Sequence, residues 1–305
     1  MSWTLILEQS LNGLQFGLML FLLAAGLTLV FGIMDMINLA HGSIYMIGAF
    51  LAATLVEATG SFAIGVLLAI VATALVGMAL EATLLRTLYE RDHLSQVLAT
   101  FALILIANET VRIVWGSDLP LNAPAALSGP VELLPGLLYP SYRLLIIGVG
   151  LAVALALYFL VTRTRTGMLV RAGASNREMA AAMGVDIRLL FTLVFGFGAG
   201  LCAVAGAMLG PILAVQVGMG ENILILAFVV IVIGGIGSIR GALVGSLIVG
   251  VVDTIGRAFL PALLREFLPP QFAGAIGPAL ASILIYVLMA AVLVWKPQGL
   301  FPARG

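Results

Sequence analysis

The sequence predicts an all-α protein that crosses a membrane several times as a bundle of helices. The chain has 305 residues, of which 62% are hydrophobic and only 9% are charged. Soluble domains average about 45–50% apolar and about 25% charged residues, so one soluble core of this size cannot bury so apolar a chain. Apolar stretches recur along the whole sequence, and most approach the roughly 20 residues that a helix needs to cross a bilayer.

Nine stretches are candidate spans. The second, seventh and eighth are rich in glycine and have short connections, so the sequence predicts eight or nine crossings. Gly42-Ser43-Ile44 and Gly245-Ser246-Leu247 each follow a Gly-containing break. This likeness is the basis for the expectation of an internal repeat, which is common in transporters. The candidate spans are residues 11–33, 38–56, 62–85, 94–115, 143–162, 189–209, 222–239, 242–259 and 274–295.

Basic residues are distributed unevenly over the alternate connections. The poorer set holds Arg143 and Arg265, with Arg257 near a helix end. Cytoplasmic connections carry the excess of Lys and Arg, so the richer set is predicted to be cytoplasmic, with the N-terminus outside and the C-terminus inside. The richer set comprises Arg86, Arg91, Arg163, Arg165, Arg171, Arg177, Arg188, Arg240, Lys296 and Arg304.

Residues 1–305 are predicted to form a single transmembrane domain with two long connections. Residues 116–142 lie outside and contain five prolines, which indicates an ordered external cap or a partly re-entrant segment. Residues 163–188 lie inside and hold much of the charge.

A short helix is predicted within the second long connection. Ser175 followed by Glu178 fits a capping box, and Gly184 suits the left-handed position that follows a helix end. The prediction is a helix of about two turns over residues 174–184. So short a helix is not stable alone in water and must dock.

Two interpretations of how this helix docks are open. It packs on its own bundle or on the lipid surface, in which case Arg177 and Glu178 simply face water. Alternatively, it enters a groove on a partner protein, where alanine and methionine allow adaptable packing.

Several kinds of site are excluded by residue type. The single lysine, Lys296, precedes a proline and follows no glycine-rich run, so the chain has no phosphate-binding loop. The single cysteine, Cys202, excludes an internal disulfide, and the two histidines are too far apart for a zinc centre. No basic patch marks a nucleic-acid binder. No catalytic motif appears, so the chain is not expected to be an enzyme.

Polar residues interrupt the start of the second span. Asp35, Asn38, His41 and Ser43 break the apolar sequence, and non-helical backbone at membrane depth survives only inside protein or beside a watery cavity. One interpretation is that Asp35 or Asn38 caps the second helix while His41 bonds a carbonyl. The other is that Asn38, His41, Gly42 and Ser43 line or gate a permeation pathway.

Charged pairs also fall within or near spans. Glu109 and Arg112, next to Asn108, share a helix face and can pair, either as a structural pair or as a polar wall of the pathway. Asp253 and Arg257 support the structural interpretation. Glu81 precedes Arg86 at the inner interface, where snorkelling of the side chains is expected to suffice.

Glycines are dense in Gly234-Gly235-Ile236-Gly237-Ser238. The run does not fit a dinucleotide fingerprint, since no βαβ unit surrounds it. It predicts close helix packing, or a hinge or pathway constriction at Gly234, Gly235 and Gly237.

Four blocks resemble the branched-chain amino acid ABC permeases of the LivH type. They are GLTLVFGIMDMINLAHGSIYMIGAF at 26–50, RAGASNREMAAAMGVDIRLLFTLVFGFGAGLCAVAGAMLGP at 171–211, AFVVIVIGGIGSIRGALVGSLIVGVVD at 227–253 and WKPQGLF at 295–301. Together they cover nearly the whole chain in the family's order.

The resemblance implies the permease subunit of an ABC importer in the inner membrane. The expected partners are two cytoplasmic ATPases, which bind ATP and magnesium, a second permease of the same or a sister type, and a periplasmic binding protein. The chain itself is expected to hold no cofactor or metal. Residues 163–188 become a coupling loop and residues 174–184 a coupling helix. Its expected ATPase-facing residues are Arg171, Ser175, Asn176, Arg177, Glu178, Met179, Met183 and Gly184.

The substrate implied by the resemblance is a small neutral amino acid, most simply a branched-chain one. Relatives that import urea, short amides or other amino acids share these blocks, so they remain alternatives. An ion-coupled secondary transporter is a further alternative, but it would need ionisable groups at mid-membrane. Only Glu109 is a candidate, and the arginine beside it would spoil its use as a proton carrier.

Overall fold

The computed structural model describes residues 3–36, 38–267 and 269–302, without the side chain of Pro270. Arg304, which contributes to the predicted orientation, lies outside these residues. The described chain is overwhelmingly helical, as predicted. Its helices are α1 (Trp3–Met34), α2 (His41–Thr59), α3 (Phe62–Thr83), α4 (His93–Trp115), α5 (Ser141–Arg163), α6 (Arg165–Ser175), α7 (Arg177–Ala182), α8 (Ile187–Leu213), α9 (Met219–Gly234), α10 (Ile239–Leu264) and α11 (Pro270–Trp295).

Eight of the described helices are long and apolar enough to cross a membrane. They correspond to all the predicted spans except the seventh. The prediction of a span at 222–239 is wrong at its C-terminal end, because α9 stops at Gly234 and has only 16 residues. Gly235 and Gly237 adopt positive φ angles of 109° and 80°, which an α-helix does not contain, so the chain turns there.

Short strands occur in the proline-rich connection at 116–142, which is therefore ordered. β1 (Asp118–Leu119) pairs antiparallel with β4 (Val215–Gln216), which follows α8. β2 (Pro130–Leu134) and β3 (Leu137–Pro140) form an antiparallel hairpin. Whether this segment lies outside the membrane stays a prediction.

The described residues divide into two compact units. The first unit holds residues 3–21, 124–151 and 226–302, and the second holds 22–123 and 152–225. The boundary falls within α1, α5 and α9. The expectation of a single domain and that of an internal repeat both stay predictions.

Within the first unit, α10 packs on α11 and on the start of α1. Glycine permits the contact between α10 and α1, since a Cβ on Gly13 would lie 2.8 Å from the Cα of Val251. The side-chain oxygen of Asn12 accepts hydrogen bonds from the Tyr139 hydroxyl at 3.0 Å and from the Arg143 guanidinium, which joins α1 to β3 and α5.

Within the second unit, α2, α3 and α8 pack closely together. Small residues bring their backbones near each other: a Cβ on Gly48 would lie 2.6 Å from the Cα of Ala203, and one on Gly77 would lie 2.5 Å from the Cβ of Ala199. Such contacts are typical of membrane helices, whose association depends on close packing rather than on a hydrophobic driving force.

Candidate functional site

The segment predicted to be cytoplasmic contains two helices rather than one. Ser175 is the last residue of α6, so the predicted capping box at Ser175 and Glu178 is wrong. Asn176 instead adopts an extended conformation and caps α7, since its side-chain oxygen accepts a hydrogen bond from the Met179 amide at 2.8 Å. Serine and asparagine are equally good cap formers, and the backbone conformation decides which of these two adjacent residues caps the helix.

The end of α7 is as predicted. Gly184 has a φ of 89°, the left-handed conformation that glycine adopts without a steric cost. Its amide donates to the Ala181 carbonyl at 2.9 Å, and the Val185 amide donates to the Ala180 carbonyl at 3.1 Å. These two bonds form a Schellman motif, which satisfies carbonyls at the helix end.

α7 presents methionine to its surroundings. Ala180 is buried, whereas the side chains of Met179 and Met183 are 61% and 81% exposed. Glu178 is exposed as well, and Arg177 is half-buried. A six-residue helix fixed at both ends thus carries an exposed apolar face beside charged residues. Whether a partner covers that face stays a prediction.

Arg171, like Ser175, lies on α6. Its side chain donates back to the Val161 carbonyl at the end of α5. Its guanidinium therefore helps to fix α6 on the preceding span. Ser175, Asn176 and Gly184 are exposed, although the Asn176 side chain is occupied as a cap.

The predicted pathway residues at the start of α2 lie inside the second unit. Asn38 and His41 have no exposed surface, and Ser43 has almost none. Ala40 occupies the N-cap position without a side-chain cap, so the prediction that Asp35 or Asn38 caps α2 is wrong. The Asn38 side-chain oxygen instead accepts from the Ala40 amide at 3.0 Å.

His41 faces α8 across the interior of the second unit. Its Nε2 lies 3.1 Å from the Sγ of Cys202, and its Nδ1 is buried without a hydrogen-bond partner. The Nδ2 of Asn38 is likewise buried and unpartnered. The His41 imidazole also forms a hydrogen bond with the backbone of Leu23 on α1, as the structural interpretation predicts.

The start of α2 meets the start of α9. A Cβ on Gly42 would lie 2.9 Å from the carbonyl carbon of Gly220. Both helices begin at this contact, after a break in regular structure on each side. The N-terminal ends of α2 and α9 are therefore in contact.

The pair predicted on α4 is present, and it faces outward. Arg112 Nη1 lies 3.5 Å from Glu109 Oε2, and both side chains are about 60% exposed. The adjacent Asn108 donates to Glu221 on α9 at 2.6 Å. The choice between a structural pair and a pathway wall stays open.

The second charged pair is also present. Arg257 Nε donates to Asp253 Oδ1 at 2.8 Å, and Arg257 Nη2 donates to the Ser282 hydroxyl on α11. The pair therefore joins α10 to α11, as expected of a structural role.

The glycine run packs tightly within the first unit. A Cβ on Gly234 would lie 2.9 Å from the Ala242 amide on α10. One on Gly235 would lie 2.7 Å from the Phe301 carbonyl oxygen. Leu300 and Phe301 donate backbone hydrogen bonds of 2.9 Å to the carbonyls of Ile233 and Gly234, which end α9. Close packing is confirmed here, and the pathway role of Gly234, Gly235 and Gly237 stays a prediction.

Glu81 is the residue that sequence reasoning misjudged most. Its side chain has no exposed surface, so the expected snorkelling is wrong. Arg86, Tyr89 and Thr192 all donate to its carboxylate. A glutamate in the otherwise apolar sequence LVGMALEATLL was the signal, since a charge there needs partners when it is buried.

The geometry defines a polytopic helical membrane protein with a short, doubly capped helix between two spans. The family model for the permease component of branched-chain amino acid transport systems matches residues 9–293. The chain belongs to this family, so it is a permease component of a transport system.

Three relatives illustrate the range of similar proteins. The high-affinity branched-chain amino acid transport system permease BraD of Pseudomonas aeruginosa is 30% identical and covers 96% of this chain and 95% of its own. The permease LivH of Escherichia coli K12 is 29% identical, with 96% of each chain covered. The fructose import permease FrcC of Rhizobium meliloti is 35% identical over 31% of this chain and 28% of its own. No solved structure matches the chain.

Proposed function

We propose that the chain is the membrane-spanning subunit of an ABC importer that moves a small neutral amino acid inward. Two cytoplasmic ATPases bind ATP and magnesium and drive the cycle, and a second permease, identical or a sister, completes the pathway. A periplasmic binding protein delivers the substrate. Relatives that cover 96% of the chain and are named for branched-chain amino acids support this class of substrate.

The observation that carries the proposal is α7. Its cap at Asn176 and its Schellman motif at Gly184 hold a helix at which the side chains of Met179 and Met183 are exposed. Methionine packs adaptably, so this face suits a groove on an ATPase. ATP draws the ATPases together, α7 moves with them, and the spans change between inward-open and outward-open states.

The proposed docking of α7 on the ATPases also implies how the chain is oriented in the membrane. α7 faces the ATPases only if residues 163–188 are cytoplasmic. That side carries the excess of basic residues, which is the distribution of cytoplasmic connections. The N-terminus is then outside and the C-terminus inside.

A double substitution on α7 tests the docking. Arg177→Ala with Glu178→Ala removes the charges that set the register of α7 in the groove, and we expect the ATPase recovered by affinity pull-down in mild detergent to fall at least five-fold. The matched control is Glu90→Ala with Arg91→Ala, an adjacent acid and base, both exposed, on another connection of the same predicted side.

Each result of the pull-down has a separate meaning. Equal recovery from both double variants would show that Arg177 and Glu178 do not dock. If the wild-type chain recovers no ATPase and its uptake collapses with the ion gradient, the protein is a secondary transporter.

For the pathway, we propose that Asn38, His41, Gly42 and Ser43 separate from their packed neighbours during the cycle. Supporting this, one side-chain atom of each of two residues, Asn38 Nδ2 and His41 Nδ1, is buried without a hydrogen-bond partner. Gly234, Gly235 and Gly237 are proposed as a constriction, since a Cβ on Gly234 or Gly235 would meet backbone and Gly237 has a positive φ. Branched-chain amino acids are the proposed substrates, with urea, short amides or other amino acids as alternatives to be compared in the same uptake assay.

His41→Ala tests the pathway proposal. We expect uptake in proteoliposomes to fall about ten-fold while ATPase recovery and membrane abundance stay at the wild-type level. Cys202→Ala is the matched control, because it removes the neighbour of the imidazole and leaves the imidazole itself. Wild-type uptake by the His41 variant at normal abundance would exclude a pathway role.

A further inference from the structure

Glu81 is the fully buried centre of a polar cluster whose other members are partly exposed. It lies near the C-terminal end of α3, and each of its carboxylate oxygens accepts two hydrogen bonds. Arg86 donates to both oxygens, at 3.3 Å through Nε and 3.0 Å through Nη2. The Tyr89 hydroxyl donates at 2.8 Å to Oε1, and the Thr192 hydroxyl donates at 2.6 Å to Oε2.

The cluster joins three helices of the second unit. Thr192 lies in the second turn of α8, and Arg86 Nη2 also donates to its hydroxyl at 2.7 Å. The ring of Tyr89 meets that of Phe191, also on α8, edge-on at a centroid distance of 5.4 Å. The Tyr89 hydroxyl lies 3.5 Å from the Sδ of Met34, the last residue of α1. α1, α3 and α8 therefore share one set of contacts.

The connection between α7 and this cluster is short and hydrogen-bonded. Val185 donates back to Ala180, and the Asp186 side chain caps α8 by accepting from the Leu189 amide at 3.0 Å. Both residues between the Schellman glycine and α8 are thus fixed. These bonds connect α7 to the first turns of α8, where Thr192 lies.

On the far side, the cluster reaches the break before α2. Met34 is followed at once by Asp35, whose φ of 50° turns the chain out of α1. The residues after it lead to the buried Asn38 and His41. A movement of α1 relative to α3 at Met34 therefore changes the position of the segment that precedes α2.

We propose that Glu81, with Arg86, Tyr89 and Thr192, is a positioning cluster that transmits the movement of α7 to α3 and to the end of α1. This role rests on the function proposed above. A buried carboxylate that loses a donor is left incompletely compensated, so the cluster resists separation of α3 from α8. The two helices then follow α7 as one body, and ATP hydrolysis is converted into helix movement.

The protonation states of Tyr89 and Arg86 keep both side chains as hydrogen-bond donors to Glu81. Burial raises the pKa of Tyr89, and its hydrogen bond to Glu81 raises it further, so the phenol remains a donor. The hydrogen bond to Glu81 likewise raises the pKa of Arg86, which stays charged.

The test measures substrate imported per ATP hydrolysed by the complete importer in proteoliposomes. Thr192→Val removes the hydroxyl and keeps the shape of the side chain, and Thr192→Ser keeps the hydroxyl. We expect import per ATP to fall at least five-fold in Thr192→Val and in Glu81→Gln, with ATPase recovery and hydrolysis unchanged. Thr192→Ser and the exposed control Glu90→Gln should keep the wild-type ratio.

Three results would overturn the proposal. An unchanged ratio in Thr192→Val does so, even where Glu81→Gln fails to assemble. A parallel loss of uptake and hydrolysis, with a constant ratio, shows that the cluster is merely structural. If the wild-type preparation recovers no ATPase, the proposed function itself fails, and the cluster has no coupling to carry out; the pull-down separates this case from the other two.

Discussion

Gly42→Ala is expected to destabilise the folded protein by about 3 kcal/mol and to abolish uptake. The added Cβ would meet the backbone of Gly220, 2.9 Å from its carbonyl carbon, and backbone cannot move aside as a side chain can. Overpacking of a core usually costs about 1–3 kcal/mol, and a contact with backbone belongs at the upper end. The measurement is the apparent Tm in detergent together with membrane abundance.

Gly148→Ala is the matched control for this change. Gly148 is an exposed helical glycine on α5, and a Cβ there would have no heavy atom within 4 Å. Alanine is favoured over glycine within a helix, so this variant should melt at or slightly above the wild-type temperature. If Gly42→Ala melts together with Gly148→Ala, the starts of α2 and α9 are not in contact.

Gly184→Val is expected to reduce uptake at least ten-fold while leaving the transmembrane helices folded. A left-handed residue with a Cβ costs about 1–2 kcal/mol, and a β-branched residue more. No heavy atom lies within 4 Å of a Cβ placed there, so the effect arises from the backbone conformation and not from a clash. The Schellman motif would open, and α7 would lose its fixed connection to α8.

Gly184→Asn separates the backbone effect from the loss of glycine itself. Asparagine tolerates the left-handed conformation, so this variant should keep most of the uptake. Both variants should show wild-type thermal melting in detergent. Equal uptake by the valine and asparagine variants would mean that the turn after α7 is not needed for coupling.

The spans could be predicted because membrane insertion depends on the apolar character of a stretch about as long as the bilayer is thick, and the sequence displays that directly. The predicted seventh span is the exception. At 222–239 the apolar stretch continues through Gly235 and Ile236, but α9 ends at Gly234, where Gly235 has a positive φ and the last carbonyls accept from Leu300 and Phe301. A hydropathy pattern does not report a contact between segments so far apart in sequence.

The site residues likewise divide into those that a local pattern predicts and those that depend on distant contacts. Gly184 was predicted because a positive φ strongly favours one residue type. Ser175 was wrongly chosen as the cap because Asn176, beside it, caps equally well, and only the chain conformation after α6 selects one. The role of Glu81 depends on Thr192, more than a hundred residues away, which no local pattern reveals.

The bonds from Leu300 and Phe301 to Ile233 and Gly234 join the end of α9 to residues that are synthesised much later. α9 leaves the ribosome before α10 and α11, yet the partners of its last turn are synthesised only after both of them. Until then, the carbonyls at the end of α9 must be solvated by water or lipid headgroups, because unsatisfied carbonyls are costly in hydrocarbon. The first unit is therefore completed late in biogenesis, and a ribosome that stalls after α11 would leave α9 with an unfinished end.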